Sequence, residues 1–258
     1  MQLALELFAT GLAASVFGSM VGLGGGFIVV PALRLFFGFE PAEAAGTSLV
    51  LVVANSASGS VAYLLQRRVH VRVGLLIALG GLPGSLIGAW AVTRVSAQTF
   101  DWLLAALLIA VGTDLILNRH RRIAGRADVS AISATKGMSY RLAIALGFIV
   151  GLISSLFGIG GGAIVVPSLL YFSQLPAHAI SATSHFAILL TSPVGLAAHI
   201  AQHDVRLSSV VPLVAGGLLG GPIGARLSLR LKSSLLLLLV AVALFAAAGS
   251  LILKHLIR

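Results

Sequence analysis

Long runs without charge constrain this chain more than any other feature of its sequence. Residues 235–253 carry no charged side chain, and residues 102–117 carry one, Asp114. Runs of this kind match the roughly 20 apolar residues that a helix needs to cross a bilayer. Inside a bilayer the backbone polar groups must be hydrogen-bonded within the protein, and a helix achieves this within one segment. The sequence therefore predicts an all-α polytopic membrane protein.

The amino-acid composition excludes several other classes of protein. Charged residues make up 9% of the chain, compared with about 25% in soluble domains. The chain has no cysteine, which excludes disulfides, iron–sulfur clusters and thiolate metal sites. We expect no cofactor, and no metal either, because the histidines that share one helix face are seven or more residues apart, about 10 Å or more, which is too far to bind one ion. The basic residues behind the net charge of +10 lie at the ends of the apolar runs, where they set topology and contact lipid headgroups. We expect a lipid bilayer, and no nucleic acid, as the partner of this charge.

The chain consists of two copies of one unit. A single constant offset aligns Gly-Leu-Gly-Gly-Gly-Phe-Ile-Val-Val-Pro at 22–31 with Gly-Ile-Gly-Gly-Gly-Ala-Ile-Val-Val-Pro at 158–167. The same offset aligns Thr47-Ser48 with Thr183-Ser184. A general apolar bias would align leucines, but it would not align glycines, a proline and paired hydroxyls in one register. We predict a first transmembrane repeat at residues 1–118, a basic cytoplasmic linker at 119–138 and a second transmembrane repeat at 139–258.

Each repeat contains five predicted helical segments. In the first repeat they are roughly 3–21, 25–37, 42–66, 72–93 and 98–118. In the second repeat they are roughly 139–157, 161–173, 177–201, 206–230 and 233–255. The second segment of each repeat has about 12 residues and a length near 18 Å, which is too short to span a bilayer. We therefore expect the first two segments of each repeat to form a re-entrant hairpin broken at the glycines.

Three basic clusters predict how the repeats are oriented. They are Arg67, Arg68, His70 and Arg72; Arg119, Arg121, Arg122 and Arg126; and Arg226, Arg230 and Lys232. Basic loops face the cytoplasm, and all three clusters can do so only if the two repeats have opposite topology. Lys254 and Arg258 then lie on the other side, against this rule. Inverted repeats with broken helices are a common architecture of secondary transporters, and here they place both termini outside the cytoplasm.

The glycine-rich segments are the most informative motifs. They lack the Gly-Lys-Ser/Thr ending of a phosphate loop and the acidic residue of a dinucleotide site, so they do not indicate nucleotide binding. Close packing of membrane helices explains the glycines at four-residue spacing later in each repeat, which are Gly80, Gly84, Gly88, Gly216, Gly220 and Gly224. Consecutive glycines weaken a helix by about 1 kcal/mol each relative to alanine. They predict unwound backbone followed by a new helix at Phe27 and at Ala163.

A helix that begins inside a membrane protein is a candidate anion site. Its first N–H groups are unpaired, and its dipole is positive at that end. Two such helix starts, one from each inverted repeat, would converge near the bilayer midplane. The alternative is that the breaks are structural hinges only. The candidate donors are Gly22, Gly24, Gly25, Gly26, Gly158, Gly160, Gly161 and Gly162.

Polar side chains within the apolar runs extend this candidate site. The runs contain almost no Lys, Arg, Asp or Glu away from their ends, which argues against a carboxylate-based cation pump and against a membrane enzyme. In the eighth segment the polar residues recur every seven positions and share one helix face; they are His178, His185, Ser192 and His199. Each hydroxyl has a structural alternative, a bond to its own helix, and His185 could equally be a packing residue. The expected lining is Ser19, Thr47, Ser48, Asn55, Ser155, Thr183, Ser184 and His185.

These motifs resemble the TauE/SafE sulfite exporter family, which is grouped with the toluene sulfonate uptake permeases. The resemblance covers the whole chain and rests on the paired glycine-rich and Val-Pro segments, the Thr-Ser pair after each short helix, and the length. It implies a secondary transporter of sulfite, a sulfonate or a related sulfur oxyanion or organic acid, located in the inner membrane, and not an enzyme. The expected mechanism is alternating access around the two breaks, with the coupling ion, a proton or sodium, left open. A passive anion channel of the same fold is the alternative.

Overall fold

A computed structural model describes residues 2–117, 138–173, 175–228 and 233–256. The helices in these parts are α1 (Gln2–Val21), α2 (Gly26–Leu35), α3 (Pro41–Leu65), α4 (Val71–Val92), α5 (Ala97–Leu117), α6 (Tyr140–Phe157), α7 (Gly162–Phe172), α8 (Ala177–Ala201), α9 (Val210–Leu227) and α10 (Ser233–Leu256). No described residue forms a β-strand. Nearly all of the predicted linker at 119–138, two residues of the third basic cluster, Arg230 and Lys232, and the terminal Arg258 lie outside the described residues.

The helix lengths confirm an all-α, multi-pass membrane protein. Seven of the described helices are long and apolar enough to cross a bilayer, namely α1, α3, α4, α5, α6, α8 and α9. The short helices α2 and α7 have 10 and 11 residues, so neither reaches across the roughly 30 Å hydrocarbon core. Each follows a long helix after a glycine-rich break, as the sequence predicts.

Glycine backbone conformation creates the two breaks. Gly22, Gly24 and Gly25 have φ values of 86°, 83° and 86°, and their counterparts at 158, 160 and 161 have φ values of 71°, 81° and 72°. Only glycine adopts this left-handed region without a steric penalty. The breaks therefore require glycine at these positions, and the new helices begin at Gly26 and Gly162, one residue before the predicted starts.

The two repeats contact each other reciprocally. Helix α1 packs along α9, the fourth helix of the second repeat, and α4 packs along α6, the first helix of the second repeat. Glycines make both approaches close: a Cβ atom at Gly80, Gly84 or Gly88 would meet the backbone of α6, and one at Gly216 or Gly224 would meet the backbone of α1. The assignment of these glycines to helix packing is confirmed. That the repeats are inverted with respect to the membrane stays a prediction.

A buried ionic cluster joins three helix ends. The Arg34 guanidinium donates to both carboxylate oxygens of Asp101, from Nε at 2.7 Å and from an NH2 nitrogen at 2.6 Å. His255 Nε2 lies 2.9 Å from the same carboxylate, and Lys254 Nζ lies 3.7 Å from it. The Asp101 side chain is 0% exposed. The cluster ties the end of α2 to the start of α5 and the end of α10, and it gives Lys254 a carboxylate partner.

Replacing Asp101 by leucine is expected to destabilise the fold strongly. The change leaves Arg34 buried without its carboxylate, and breaking a buried ion pair in this way costs about 3–5 kcal/mol. The check is the midpoint of thermal unfolding in detergent, with Glu6→Gln as the control, because that carboxylate is exposed and hydrogen-bonds only Gln2 among the described residues. Equal midpoints for the two variants would contradict a stabilising role for the cluster.

Candidate functional site

The two glycine-rich breaks lie directly against each other. A Cβ atom on Gly26 would meet the carbonyl oxygen of Gly158, and a Cβ atom on Gly162 would meet the carbonyl oxygen of Gly22. The two contacts are counterparts, since the alignment of the repeats pairs Gly26 with Gly162 and Gly22 with Gly158. The predicted meeting of the two breaks is therefore present in the structure, while its position near the bilayer midplane stays a prediction.

The first N–H groups of α2 and α7 are buried and have no hydrogen-bond acceptor in the part of the chain that the structure describes. Within the described residues, no protein acceptor binds the N–H groups of Gly25 and Gly26 or those of Gly161 and Gly162. The α-helical pattern begins in the next turn, since Val29 N–H donates to Gly25 O at 3.3 Å and Val165 N–H donates to Gly161 O at 3.0 Å. Buried N–H groups without partners are uncommon in proteins. Each break thus presents free donors at the positive end of a helix.

The two Thr-Ser pairs clamp one repeat to the other. Ser48 Oγ donates to the carbonyl of Gly158 at 2.9 Å, and Ser184 Oγ donates to the carbonyl of Gly22 at 2.8 Å. The threonines accept from loop backbone: Arg206 N–H donates to Thr47 at 3.0 Å, and His70 N–H donates to Thr183 at 2.9 Å. The serine protons are therefore committed to the breaks, so that in this arrangement these hydroxyls position the glycines instead of donating to a ligand.

Ser19, Asn55 and His185 form a buried polar cluster beside the first break. Ser19 Oγ lies 2.8 Å from Asn55 Oδ1 and 3.1 Å from His185 Nε2. Asn55 Nδ2 donates to the carbonyl of Gly24 at 3.0 Å. All three side chains are 0% exposed. Helices α1, α3 and α8 each contribute one member, and Gly59 leaves room for the imidazole, because a Cβ there would lie 2.9 Å from His185 Nε2.

Hydrogen-bond accounting fixes the roles within this cluster. The Asn55 amide nitrogen must face the Gly24 carbonyl, which leaves Oδ1 as an acceptor for Ser19. A hydroxyl has one proton, so Ser19 satisfies Asn55 and accepts from a protonated His185 Nε2. The Nδ1 atom of His185 has no hydrogen-bond partner among the described residues. The cluster therefore has one open position, on His185.

The second repeat has no equivalent of this cluster. When the repeats are aligned, His185 corresponds to Leu49 and Asn55 to Thr191. Ser155, the counterpart of Ser19, is buried and its hydroxyl has no partner among the described residues. A Cβ on Gly195 would lie 2.6 Å from Ser155 Oγ and 3.5 Å from Leu49 Cδ1. The polar centre is thus one-sided, although the backbone around it is duplicated.

Two apolar side chains lie over the breaks. Ile188 Cδ1 is 3.4 Å from the position of a Cβ on Gly24, and the counterpart side chain Val52 contacts the corresponding position on Gly160 at 2.6 Å. Both side chains are 0% exposed and pack with Leu49.

Two side-chain hydrogen bonds to backbone carbonyls near the breaks are not predicted by the sequence. Tyr63 OH donates to the carbonyl of Ser19 at 2.5 Å, and His199 Nε2 lies 2.9 Å from the carbonyl of Ser155. Tyr63 and His199 are counterparts in the aligned repeats, as are the two serines. In the sequence, the two positions share only an aromatic side chain that can donate a hydrogen bond.

Comparisons with known proteins place the chain in a family. The sequence model of the family described as "Sulfite exporter TauE/SafE" matches residues 7–251. The chain belongs to the TauE/SafE family. It is 30% identical over 262 residues to the probable membrane transporter protein YunE of Bacillus subtilis (strain 168), covering 95% of this chain and 96% of that protein.

Two further relatives are also named as probable membrane transporter proteins. A probable membrane transporter protein of Xylella fastidiosa (strain Temecula1) is 29% identical over 83% of this chain and 81% of its own length. One from Methanocaldococcus jannaschii is 26% identical over 86% of both. This TauE/SafE protein is therefore a membrane transporter and not an enzyme, as the sequence predicts.

Proposed function

We propose that this TauE/SafE protein is a secondary transporter of small anions, with sulfite, a sulfonate or a related sulfur oxyanion or organic acid as its substrate. The observation that carries the proposal is the pair of facing glycine-rich breaks, whose first N–H groups are buried and without acceptors among the described residues. Each helix start contributes about half a positive charge, so two together complement one negative charge. The name of the family supports sulfur oxyanions as the substrate class.

The site proposed for the anion combines the two breaks with the polar cluster. The N–H groups of Gly25, Gly26, Gly161 and Gly162 donate to the anion, and His185 adds a further donor when its open Nδ1 is protonated. Ser19 and Asn55 orient the imidazole, while Ser48 and Ser184 with Thr47 and Thr183 hold the breaks in place. Ser155 offers a free hydroxyl from the second repeat. No lysine or arginine takes part, which favours release of the substrate, because two helix ends bind more weakly than a guanidinium clamp.

Alternating access is the mechanism proposed for this site. Reciprocal hydrogen bonds relate the two repeats, and the apolar pair Val52 and Ile188 closes the breaks between them. In inverted-repeat transporters one repeat rocks against the other around a central site. We place the protein in the inner membrane, with the Arg67–Arg72 loop in the cytoplasm and both termini on the opposite side.

Proteoliposome transport tests the proposal. Purified protein is reconstituted, and uptake of radiolabelled sulfite and of a simple alkanesulfonate is followed under an imposed proton or sodium gradient. A secondary transporter accumulates the anion above its external concentration, whereas a passive channel only equalises the two concentrations. If neither anion crosses faster than in protein-free vesicles, the substrate class is wrong.

A further inference from the structure

Equivalent hydrogen bonds hold the C-terminal ends of α1 and α6, but different types of side chain form them. Tyr63 and Arg68 in the first repeat correspond to His199 and Asp204 in the second. The Arg68 guanidinium lies 5.1 Å from the centre of the Tyr63 ring, and His199 Nδ1 lies 3.1 Å from Asp204 Oδ2. Each pair binds the backbone carbonyl three residues before a break, at Ser19 or at Ser155.

The first pair keeps its protons at physiological pH. A tyrosine hydroxyl and an arginine guanidinium both titrate far above neutral pH. Burial lowers the pKa of the Arg68 guanidinium from its ordinary value, and the neighbouring Tyr63 opposes this change, yet arginine remains charged in proteins. The bond from Tyr63 to the Ser19 carbonyl is therefore independent of pH in the physiological range.

The second pair needs two protons to form both of its hydrogen bonds. A carbonyl only accepts, so His199 Nε2 must carry a proton to bond Ser155 O. The contact between His199 Nδ1 and Asp204 Oδ2 needs a second proton, on either atom, because two lone pairs would repel each other. Hydrogen bonds at both contacts together therefore require two protons, one on Nε2 and one between Nδ1 and the carboxylate.

We propose that His199 and Asp204 form the binding site of a coupling proton, whose release frees the end of α6 from its bond to His199. When the shared proton leaves, one proton remains on the imidazole. It moves to the nitrogen that faces the carboxylate, since a hydrogen bond to a charged acceptor is the stronger one. Nε2 then faces the Ser155 carbonyl with a lone pair, and the bond breaks next to the second break. This proposal rests on the proposed transport function.

The charged groups around His199 and Asp204 have other partners or lie away from this pair. His199 is 0% exposed, whereas the Asp204 side chain is 12% exposed and gives the proton a route to water. Of the charged groups at this end, Glu43 of α3 is paired with Arg206, and Arg94 after α4 lies 3.4 Å from the centre of the Trp90 ring. Helix α6 carries its titratable residues, Tyr140 and Arg141, at its other end. His203 in the same loop is exposed and points to no described partner.

Asp204→Asn is the test, because an asparagine amide can donate to His199 Nδ1 without a removable proton. Hydrogen–deuterium exchange is measured on the full chain in detergent at about pH 6 and about pH 8, and corrected for intrinsic exchange rates. In the unsubstituted protein we expect exchange in residues 156–163 to be about fivefold faster at the higher pH, the effect of one lost hydrogen bond. Residues 20–27, held by Tyr63, should not change. Asp204→Asn should remove the difference.

A matched control and a transport assay complete the experiment. His203→Asn removes the exposed neighbouring histidine, and asparagine tolerates the positive φ of 61° at that position; it should keep the difference. In proteoliposomes, Asp204→Asn should abolish accumulation of an alkanesulfonate driven by a pH gradient while equilibrium exchange of the same anion persists. If hydrogen–deuterium exchange in Asp204→Asn shows the same pH difference as in the unsubstituted protein, the proposed proton site is wrong. If the pH difference is present but no anion is transported, the proton site stands and the proposed function fails.

Discussion

Gly25→Val and Gly161→Val are each expected to reduce anion transport to background while the protein still folds in the membrane. Both glycines have positive φ, which a β-branched residue adopts only at a cost of about 1–3 kcal/mol. A Cβ on Gly25 would lie 2.9 Å from the carbonyl oxygen of Ala14, and one on Gly161 would lie 2.6 Å from Val150 Cγ1. The break must therefore shift, and its N–H groups move with it.

Gly38→Val is the matched control for this experiment. Gly38 also has positive φ, 65°, but nothing lies within 4 Å of the position that its Cβ would occupy. It carries the same kind of backbone penalty, away from the breaks, in the loop after α2. Size-exclusion profiles establish folding, and uptake by proteoliposomes is the readout. If either break variant transports as well as Gly38→Val, the glycine N–H groups do not form the anion site.

The sequence predicts the helices and the breaks because their causes are local. A run such as 235–253 has no charged residue to place in water, and three glycines in a row cannot continue a stable helix. The duplication adds long-range information, since Gly22–Gly26 and Gly158–Gly162 have the same sequence environment and the same role. Their direct contact confirms that the two breaks meet.

The roles of the polar residues could not be predicted in the same way. Ser48 and Ser184 are identifiable as a repeated pair, but their partners are backbone carbonyls of the opposite repeat, and any residue could supply a carbonyl. The ion pair of Arg34 with Asp101 joins residues that are 67 positions apart, and neither has a counterpart in the second repeat. Aligning the repeats pairs Tyr63 with His199. It does not reveal their shared role, because that role depends on the backbone carbonyls that they bind.

His185→Leu is expected to weaken anion binding by about tenfold or more, whereas His185→Gln should bind with an affinity that no longer depends on pH. Leucine removes both nitrogens and leaves Ser19 with one partner fewer, and a hydrogen bond to a charged group contributes about 1.5–3 kcal/mol. Glutamine can still donate to Ser19 and present its oxygen at the open position, but it cannot gain a proton.

The sign of the pH effect follows from the chemistry of the open nitrogen. A proton on Nδ1 of His185 turns an acceptor into a donor and adds a full positive charge next to the breaks, so anion affinity rises as pH falls and the imidazole becomes protonated. The ligand for the measurement is an alkanesulfonate, which keeps one negative charge at every pH of the titration and so contributes no titration of its own. Affinity is measured by calorimetry in detergent, with His203→Asn as the control for an exposed histidine. A flat profile for the unsubstituted protein, or the same slope in His185→Gln, would show that His185 does not bind the anion through a proton.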